Sequence, residues 1–363
     1  MSSGGFSHLL GMAGMCCSVW KTRHTGSACR YLPLVHLDIE QGCNSRCVTC
    51  DSWRKKARDS GQLTTDEILS MLPAMKKLGT CIVSISGGEP ALRPDLEEIV
   101  SGFSEAGIAV HVDTNCLCID RARAESLVRA GLKIVYTSID HFEPAGFEKI
   151  RGVDGLSRVI SAIGYFRSVP QPVPVGVNIT VSSLNCDIIP ELVDNVIALG
   201  VQKIQFLPVH RRHGQFETTA GGDEFRRFVP EDTGRVVEML KRESGKIRKR
   251  GIATNSRLFI DNFENAYRAV RTVPCYAGYL FAVIDPFGFV MPCYEHKTGM
   301  NVRDMELDEI FRSGEFVEAR KNVKECKLPC MIAGNAEPSI RLHLPYIVRN
   351  LPEAYRQARM HTG

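Results

Sequence analysis

Residues 34–50 read LVHLDIEQGCNSRCVTC, and the reading of the fold turns on that stretch. Its first seven residues are rich in β-branched and apolar side chains in the manner of a strand. Directly behind them stand Cys43, Cys47 and Cys50 in the spacing C-x3-C-x2-C. Three soft thiolates on a short loop suit iron and can hold three irons of a [4Fe-4S] cluster, leaving the fourth iron open. A closed zinc site needs a fourth Cys or His nearby, and the residues just after Cys50 offer none. Redox-sensing thiols are a third reading, which leaves the rest of the chain unexplained.

Outward from this loop, short strands alternate with helices. The runs LVHLDIE, CIVSIS, IAVHVDT, KIVYTSID, PVGVNITV and KIQFLPV read as six strands. Helices are expected over 65–78, 94–106, 120–130, 155–166 and 188–199, with Thr65 as a start signal and Gly79, Gly107, Gly131 and Gly200 as stops. Such alternation predicts an α/β protein of parallel strands with right-handed crossovers. Periodicity alone leaves a doubly wound sheet and a barrel equally open. In both, ligands bind at the carboxyl ends of the strands. There SGGEP (86–90) follows the second strand, TNC (114–116) the third and SID (138–140) the fourth.

A charged helix over 231–250 ends this part, and the boundary falls near Gly251. Beyond it come the hairpin-like LFAVIDPFGFVMPC (280–293) and the closing CKLPC (326–330). The domain reading is a poorly ordered leader at 1–30, a core at 31–250, a small second unit at 251–335 and a helical tail at 336–363.

At 363 residues the chain can bury a sizeable core without staples. A net charge of +4 is too small to imply a polyanionic partner, so the basic runs at 241–250 and 210–214 read as solvated faces, and nucleic acid is disfavoured. Fourteen cysteines, several of them clustered, point to metal before disulfides. The leader lacks a basic n-region and is too short to span a bilayer, and no apolar run of 18 residues follows, so a cytoplasmic protein with no membrane partner is expected.

The cysteine spacing behind the first strand, with Ser86-Gly87-Gly88-Glu89-Pro90 behind the second, resembles the radical S-adenosylmethionine superfamily. The resemblance covers roughly residues 34–210 and implies a partial (β/α)6 TIM-like barrel with a small C-terminal auxiliary-cluster domain. It implies that the open iron takes the amino and carboxylate groups of S-adenosylmethionine, that a 5'-deoxyadenosyl radical results, and that a one-electron donor such as flavodoxin or ferredoxin serves the cluster. Carried over by motif, Gly87, Gly88 and Glu89 would meet the methionyl amino group, Ser138 and Asp140 the ribose and carboxylate, and Asn178 would face the ligand. The chain departs from the family at Thr49, where an aromatic residue is usual, and Trp53 is the candidate replacement.

The distal Cys275, Cys293, Cys326 and Cys330 resemble the auxiliary-cluster extension of that superfamily in its shortened, twitch-type form. Four donors fit one fully ligated [4Fe-4S] cluster, and they also fit a closed zinc site. A fully ligated cluster cannot bind substrate, so electron transfer is its use.

The first functional expectation is oxidation or epimerisation of a small polyhydroxylated substrate such as a sugar or aminocyclitol. Cys116 and Cys186 are the candidate hydrogen donors, with Cys118 beside them. Glu295, His296, His210 and Arg211 are candidate substrate contacts by position. The alternative is modification of a ribosomal peptide by thioether crosslinking or epimerisation. Enzymes of that kind commonly carry a leader-binding module, for which residues 1–30 are too short, leaving binding in trans. Modification of tRNA and a non-catalytic electron carrier stand further back.

Overall fold

The computed structural model describes residues 14–15, 17–25, 29–54, 61–209, 226–268, 270–328 and 330–342. His210, Arg211, most of the expected leader and residues 343–363 lie outside the described residues. Six parallel strands form as expected: β1 (Leu34–Glu40), β2 (Ile82–Gly87), β3 (Ala109–Asp113), β4 (Leu132–Ser138), β5 (Val175–Val181) and β6 (Lys203–Pro208). The crossovers carry α1 (Thr65–Ser70) and α2 (Leu72–Lys77), then α3 (Leu96–Glu105), α4 (Arg121–Arg129), α5 (Pro144–Arg151), α6 (Leu156–Ser168) and α7 (Ile189–Ala198). The start signal of α1 is Thr64 rather than Thr65. Its hydroxyl accepts from Glu67 N–H while the Glu67 carboxylate accepts from Thr64 N–H, a capping box worth about 1 kcal/mol.

The six strands lie in the order β6-β5-β4-β3-β2-β1, and two later strands, β7 (Phe281–Ile284) and β8 (Val290–Met291), continue the sheet beyond β1. Nothing reverses along β1 to β6, so every right-handed crossover puts its helix on the same face. A doubly wound sheet requires a reversal of strand order. The sheet is therefore a partial TIM-like barrel with helices outside. Strand β1 shows both faces: Val35, Leu37 and Ile39 are fully covered, while His36, Asp38 and Glu40 alternate onto the barrel interior. Each covered side chain contributes roughly 1.5–3 kcal/mol by leaving water.

The expected hairpin forms as β7 (Phe281–Ile284) and β8 (Val290–Met291), paired antiparallel. Strand β7 also pairs in parallel with β1, Leu34 opposite Phe281 through Leu37 opposite Ile284. The change of character near Gly251 is thus no break in the sheet, because the second unit extends the first unit's edge. Helix α8 (Thr233–Lys249) leads to α9 (Arg257–Asp261) and α10 (Asn265–Arg268), and after β8 come α11 (Leu307–Arg312), α12 (Gly314–Glu325) and α13 (Ala333–Arg341). Helix α13 crosses the expected boundary at 335 and packs against β6 and α9. A side chain at Gly334 would come within 3.3 Å of His36 on β1, while Glu337 and Arg341 face Lys203 on β6. The helix thereby spans the open side of the barrel at the amino ends of the strands. Among the described residues, no helix is long and apolar enough to cross a membrane.

Candidate active site with two cysteine centres

The loop after β1 crosses directly over the end of β2. A Cβ on Gly87, whose φ is +127, would sit 2.3 Å from the Glu40 carbonyl oxygen, and one on Gly88 would sit 2.2 Å from that of Gly42. Only glycine leaves room there. The turn is then pinned by Gly88 N–H to Glu40 C=O at 2.7 Å and Glu89 N–H to Gly42 C=O at 2.8 Å. The two glycines thus seat the cysteine loop on the sheet.

All three sulfurs of that loop accept N–H groups. Cys43 Sγ accepts from Ser45 N–H at 3.5 Å, Cys47 Sγ from the Arg151 guanidinium at 3.7 Å and Cys50 Sγ from Ser52 N–H at 3.4 Å. Hydrogen bonds of this kind stabilise cluster thiolates. Burial pushes the Cys43 thiol up to about 12 and that of Cys47 upward too, with the neighbouring cysteines adding to the shift. Without iron the Cys43 and Cys47 thiols therefore hold their protons, and loading releases them.

Cys275, Cys293 and the pair Cys326 and Cys330 come from three separate segments and line one cavity, which Glu295 and His296 also border. Here too backbone N–H groups point at sulfur: Leu328 at Cys326, Ala277 at Cys275, and Glu295 and His296 at Cys293. Every described cysteine is free of disulfide pairing. Among the described residues, no group of three or more His, Cys, Asp or Glu side chains is gathered tightly enough for a single metal ion. Soft thiols met by N–H groups are the donor set of an iron-sulfur cluster, and both sets have that chemistry. Glu295 and His296, expected as substrate contacts by position, are thus placed on the wall of this cavity.

Several expected contacts have partners inside the protein. Glu89 is 1% exposed, and its carboxylate accepts from Thr114 Oγ1 at 2.6 Å, Asn115 N–H at 2.6 Å and Ala91 N–H at 2.9 Å. Its carboxylate braces the turn from within. Asn115 carries the brace onward, donating from Nδ2 to Asn44 Oδ1 at 2.7 Å and Ser45 Oγ at 3.2 Å in the cysteine loop. Asp140, also 1% exposed, accepts from Thr180 N–H at 2.6 Å and pairs with Arg151 at 2.7 Å, so it too is spent inside the protein. Trp53 stays in the cysteine loop, donating from Nε1 to Cys47 C=O at 3.2 Å.

Neither proposed hydrogen donor faces the barrel interior. Cys116 is 1% exposed, with its thiol held by Thr114 and Thr137 and pushed up by burial to about 12. Its φ of 61 is the left-handed conformation that costs a non-glycine residue about 1 kcal/mol. Glycine relieves that strain while giving up a small buried side chain, so Cys116→Gly is expected to fold and to retain full turnover in a product assay. Cys186 lines a cleft on the outer side, with Ser183, Asp187, Pro190, Pro230 and Arg235, between α7 and α8.

The interior below the glycine turn holds residues that the motif reading passed over. Ser86 Oγ donates to Asp38 Oδ1 at 2.7 Å, and the Tyr294 hydroxyl donates to the same oxygen at 3.2 Å. Ser84 Oγ donates to Asp113 Oδ2 at 3.2 Å, and the Asn178 side chain also donates to Asp113. Burial and the nearby Asp38 charge raise Asp113 to about 6. Deeper, Lys203 Nζ lies 2.9 Å from the Tyr136 hydroxyl, and burial brings its pKa down to about 7. Ser138 pairs with Asn178 across β4 and β5, at the upper rim of this space. Ser86, Ser138 and Asn178 belong to the motifs already read, whereas the only sequence signal for Asp38, Ser84, Asp113, Tyr136 and Lys203 is a polar residue in an otherwise apolar strand. Tyr294 follows Cys293 directly, so one short segment joins the auxiliary centre to the barrel interior.

Residues 39–196 match the sequence model of the radical SAM superfamily. That stretch is a radical SAM domain, which implies a [4Fe-4S] cluster and S-adenosylmethionine as its cofactors. Residues 275–331 match SPASM, an iron-sulfur cluster-binding domain; the span contains all four cysteines of the second set and implies an auxiliary cluster. The AdoMet-dependent heme synthase of Methanosarcina barkeri is 27% identical over 318 residues, covering 82% of this chain and 87% of the relative. The PqqA peptide cyclase of Rhodopseudomonas palustris is 26% identical over 309 residues, covering 82% and 78%. Among solved structures, Streptococcus suis SuiB bound to S-adenosylmethionine aligns with a TM-score of 0.67 and 18% identity, over 91% of this chain and 79% of SuiB. At that identity the likeness is one of fold.

Proposed function

We propose that this radical SAM enzyme modifies a peptide, joining or inverting side-chain-bearing carbons of a ribosomally made precursor. The observation that carries the reading is the alignment with a PqqA peptide cyclase along 82% of this chain. It displaces the sugar or aminocyclitol expected from sequence, because neither sequence relative described above is named for such a substrate. The heme synthase suggests a tetrapyrrole instead. Two carboxylates beneath the glycine turn, Asp38 and Asp113, disfavour it, since they would repel the acid groups of a porphyrin.

In this reading Cys43, Cys47 and Cys50 hold the open-sited cluster, and Gly87, Gly88 and Ser138 hold S-adenosylmethionine. Cys275, Cys293, Cys326 and Cys330 fully ligate the auxiliary cluster in the shortened, single-cluster form. When bound, these groups supply a hydrogen-abstracting radical on one side and a one-electron sink on the other. The chain's own residues do the rest. Ser84, Ser86, Asn178 and Tyr294 orient the two carboxylates, and Asp113, poised near 6, takes the proton that a substrate radical must shed before it can lose an electron. An external donor such as flavodoxin or ferredoxin provides the initiating electron.

The test sets peptides, deuterated sugars and iron coproporphyrin side by side with reconstituted protein, reductant and S-adenosylmethionine. Substrate-dependent 5'-deoxyadenosine is expected in a peptide arm, with a mass change on the peptide. Formation in a sugar or porphyrin arm alone overturns the reading.

A further inference from the structure

The last turn of α5 is built against the cysteine loop on both sides of Cys47. Arg46 N–H donates to Arg151 C=O at 3.1 Å, and Val48 N–H donates to Ile150 C=O at 2.9 Å. Gly152 ends the helix with φ of 66, and a Cβ there would sit 2.3 Å from the Arg46 carbonyl oxygen. This contact fixes the helix end relative to the cluster loop. The Arg151 side chain then turns back under Cys47, with Nη1 donating to the sulfur at 3.7 Å and Nη2 at 2.7 Å from the Asp140 carboxylate. Asp140 in turn is anchored by Thr180 N–H at the end of β5. Sulfur, guanidinium and carboxylate thus form a line from the cluster to the sheet, with the two charged side chains 14% and 1% exposed.

We propose that Arg151 and Asp140 are positioning residues that set the reduction potential of the cluster held by Cys43, Cys47 and Cys50. The cluster gains one negative charge on reduction. A cation hydrogen-bonded to a ligating sulfur favours that state, and a carboxylate behind the cation offsets part of the effect. Water screens little of either charge at this burial. Asp140 is thereby moved from a ligand contact to an electrostatic counterweight. The inference concerns the cluster alone and holds whatever the substrate is.

The experiment is a potentiometric titration of the reconstituted full-length protein, followed by electron paramagnetic resonance. The relevant cluster is recognised by the change in its signal when S-adenosylmethionine is added. Arg151→Met is expected to make one-electron reduction at least about tenfold less favourable, which for one electron is a fall of about 59 mV. Asp140→Asn is expected to move the potential upward, and Arg151→Lys to lie between Arg151→Met and the native protein. A residue that only packs would not give shifts of opposite sign. Equal potentials in all variants, or shifts of one sign in Arg151→Met and Asp140→Asn, overturn the proposal. If Arg151→Met loses its iron, unchanged potentials in Arg151→Lys and Asp140→Asn overturn it equally.

Discussion

Cys50→Ala is expected to lower reductive cleavage of S-adenosylmethionine by at least about 10³-fold, because the three thiols act as a unit and the loss of one removes most of its function. Cys43→Ala and Cys47→Ala should do the same. The readout is 5'-deoxyadenosine formed per hour by anaerobically reconstituted protein, together with the iron count. Native protein should carry about eight irons, the content of two cubanes, and each of these variants about four. Undiminished 5'-deoxyadenosine from Cys50→Ala would refute the placement of the radical-generating cluster. The complementary variant, Cys330→Ala, should also fall to about four irons. It should still cleave S-adenosylmethionine, since its loss touches only the auxiliary cavity.

Asp113→Asn is the second large effect, with substrate turnover expected to fall by about 10²–10⁴, the usual contribution of a positioned general base. Cleavage of S-adenosylmethionine should continue, uncoupled from product. In the native protein the rate should rise with pH through about 6 as Asp113 loses its proton, and that limb should vanish in the variant. Stability should change the other way. Asp113 has a folded pKa of about 6 against a model value of 3.8, so the folded state binds the extra proton and stability falls as pH rises between those values. Asp113→Asn escapes that loss and should melt at a higher temperature than the native protein above pH 6. An Asp113→Asn protein with native turnover and an unchanged pH profile would remove Asp113 from the chemistry.

The relation between sequence and structure is clearest at particular elements. Strand β1 was legible to the residue, since Leu34 to Glu40 joins strong strand propensity to a sharp polar stop at Gln41 and Gly42. Helix α5 was not foreseen, because HFEPAGFEKIRG contains Pro and Gly over a short span and reads as a loop. Yet that helix carries Arg151. The hairpin after residue 280 was recognised, while its pairing with β1 was not, because Leu34 and Phe281 are separated by most of the chain and local pattern carries no information about such a register.

The same division runs through the site. The sequence by itself determined which thiols belong together, since ligand spacing on a loop is a local property that survives without the fold. It also determined the α/β alternation and the need for glycine at positions 87 and 88. Tertiary structure alone decided which polar residues meet in the barrel interior and which brace the loops around it. Glu89 and Asp140 sit in recognisable motifs, yet both are buried against N–H donors, whereas Asp38, Asp113 and Tyr294 carry no motif and meet in the barrel. The cause is geometric: a motif places a side chain at a strand end, but its direction and its partners follow from the curvature of the sheet and from chain segments that arrive from far along the sequence.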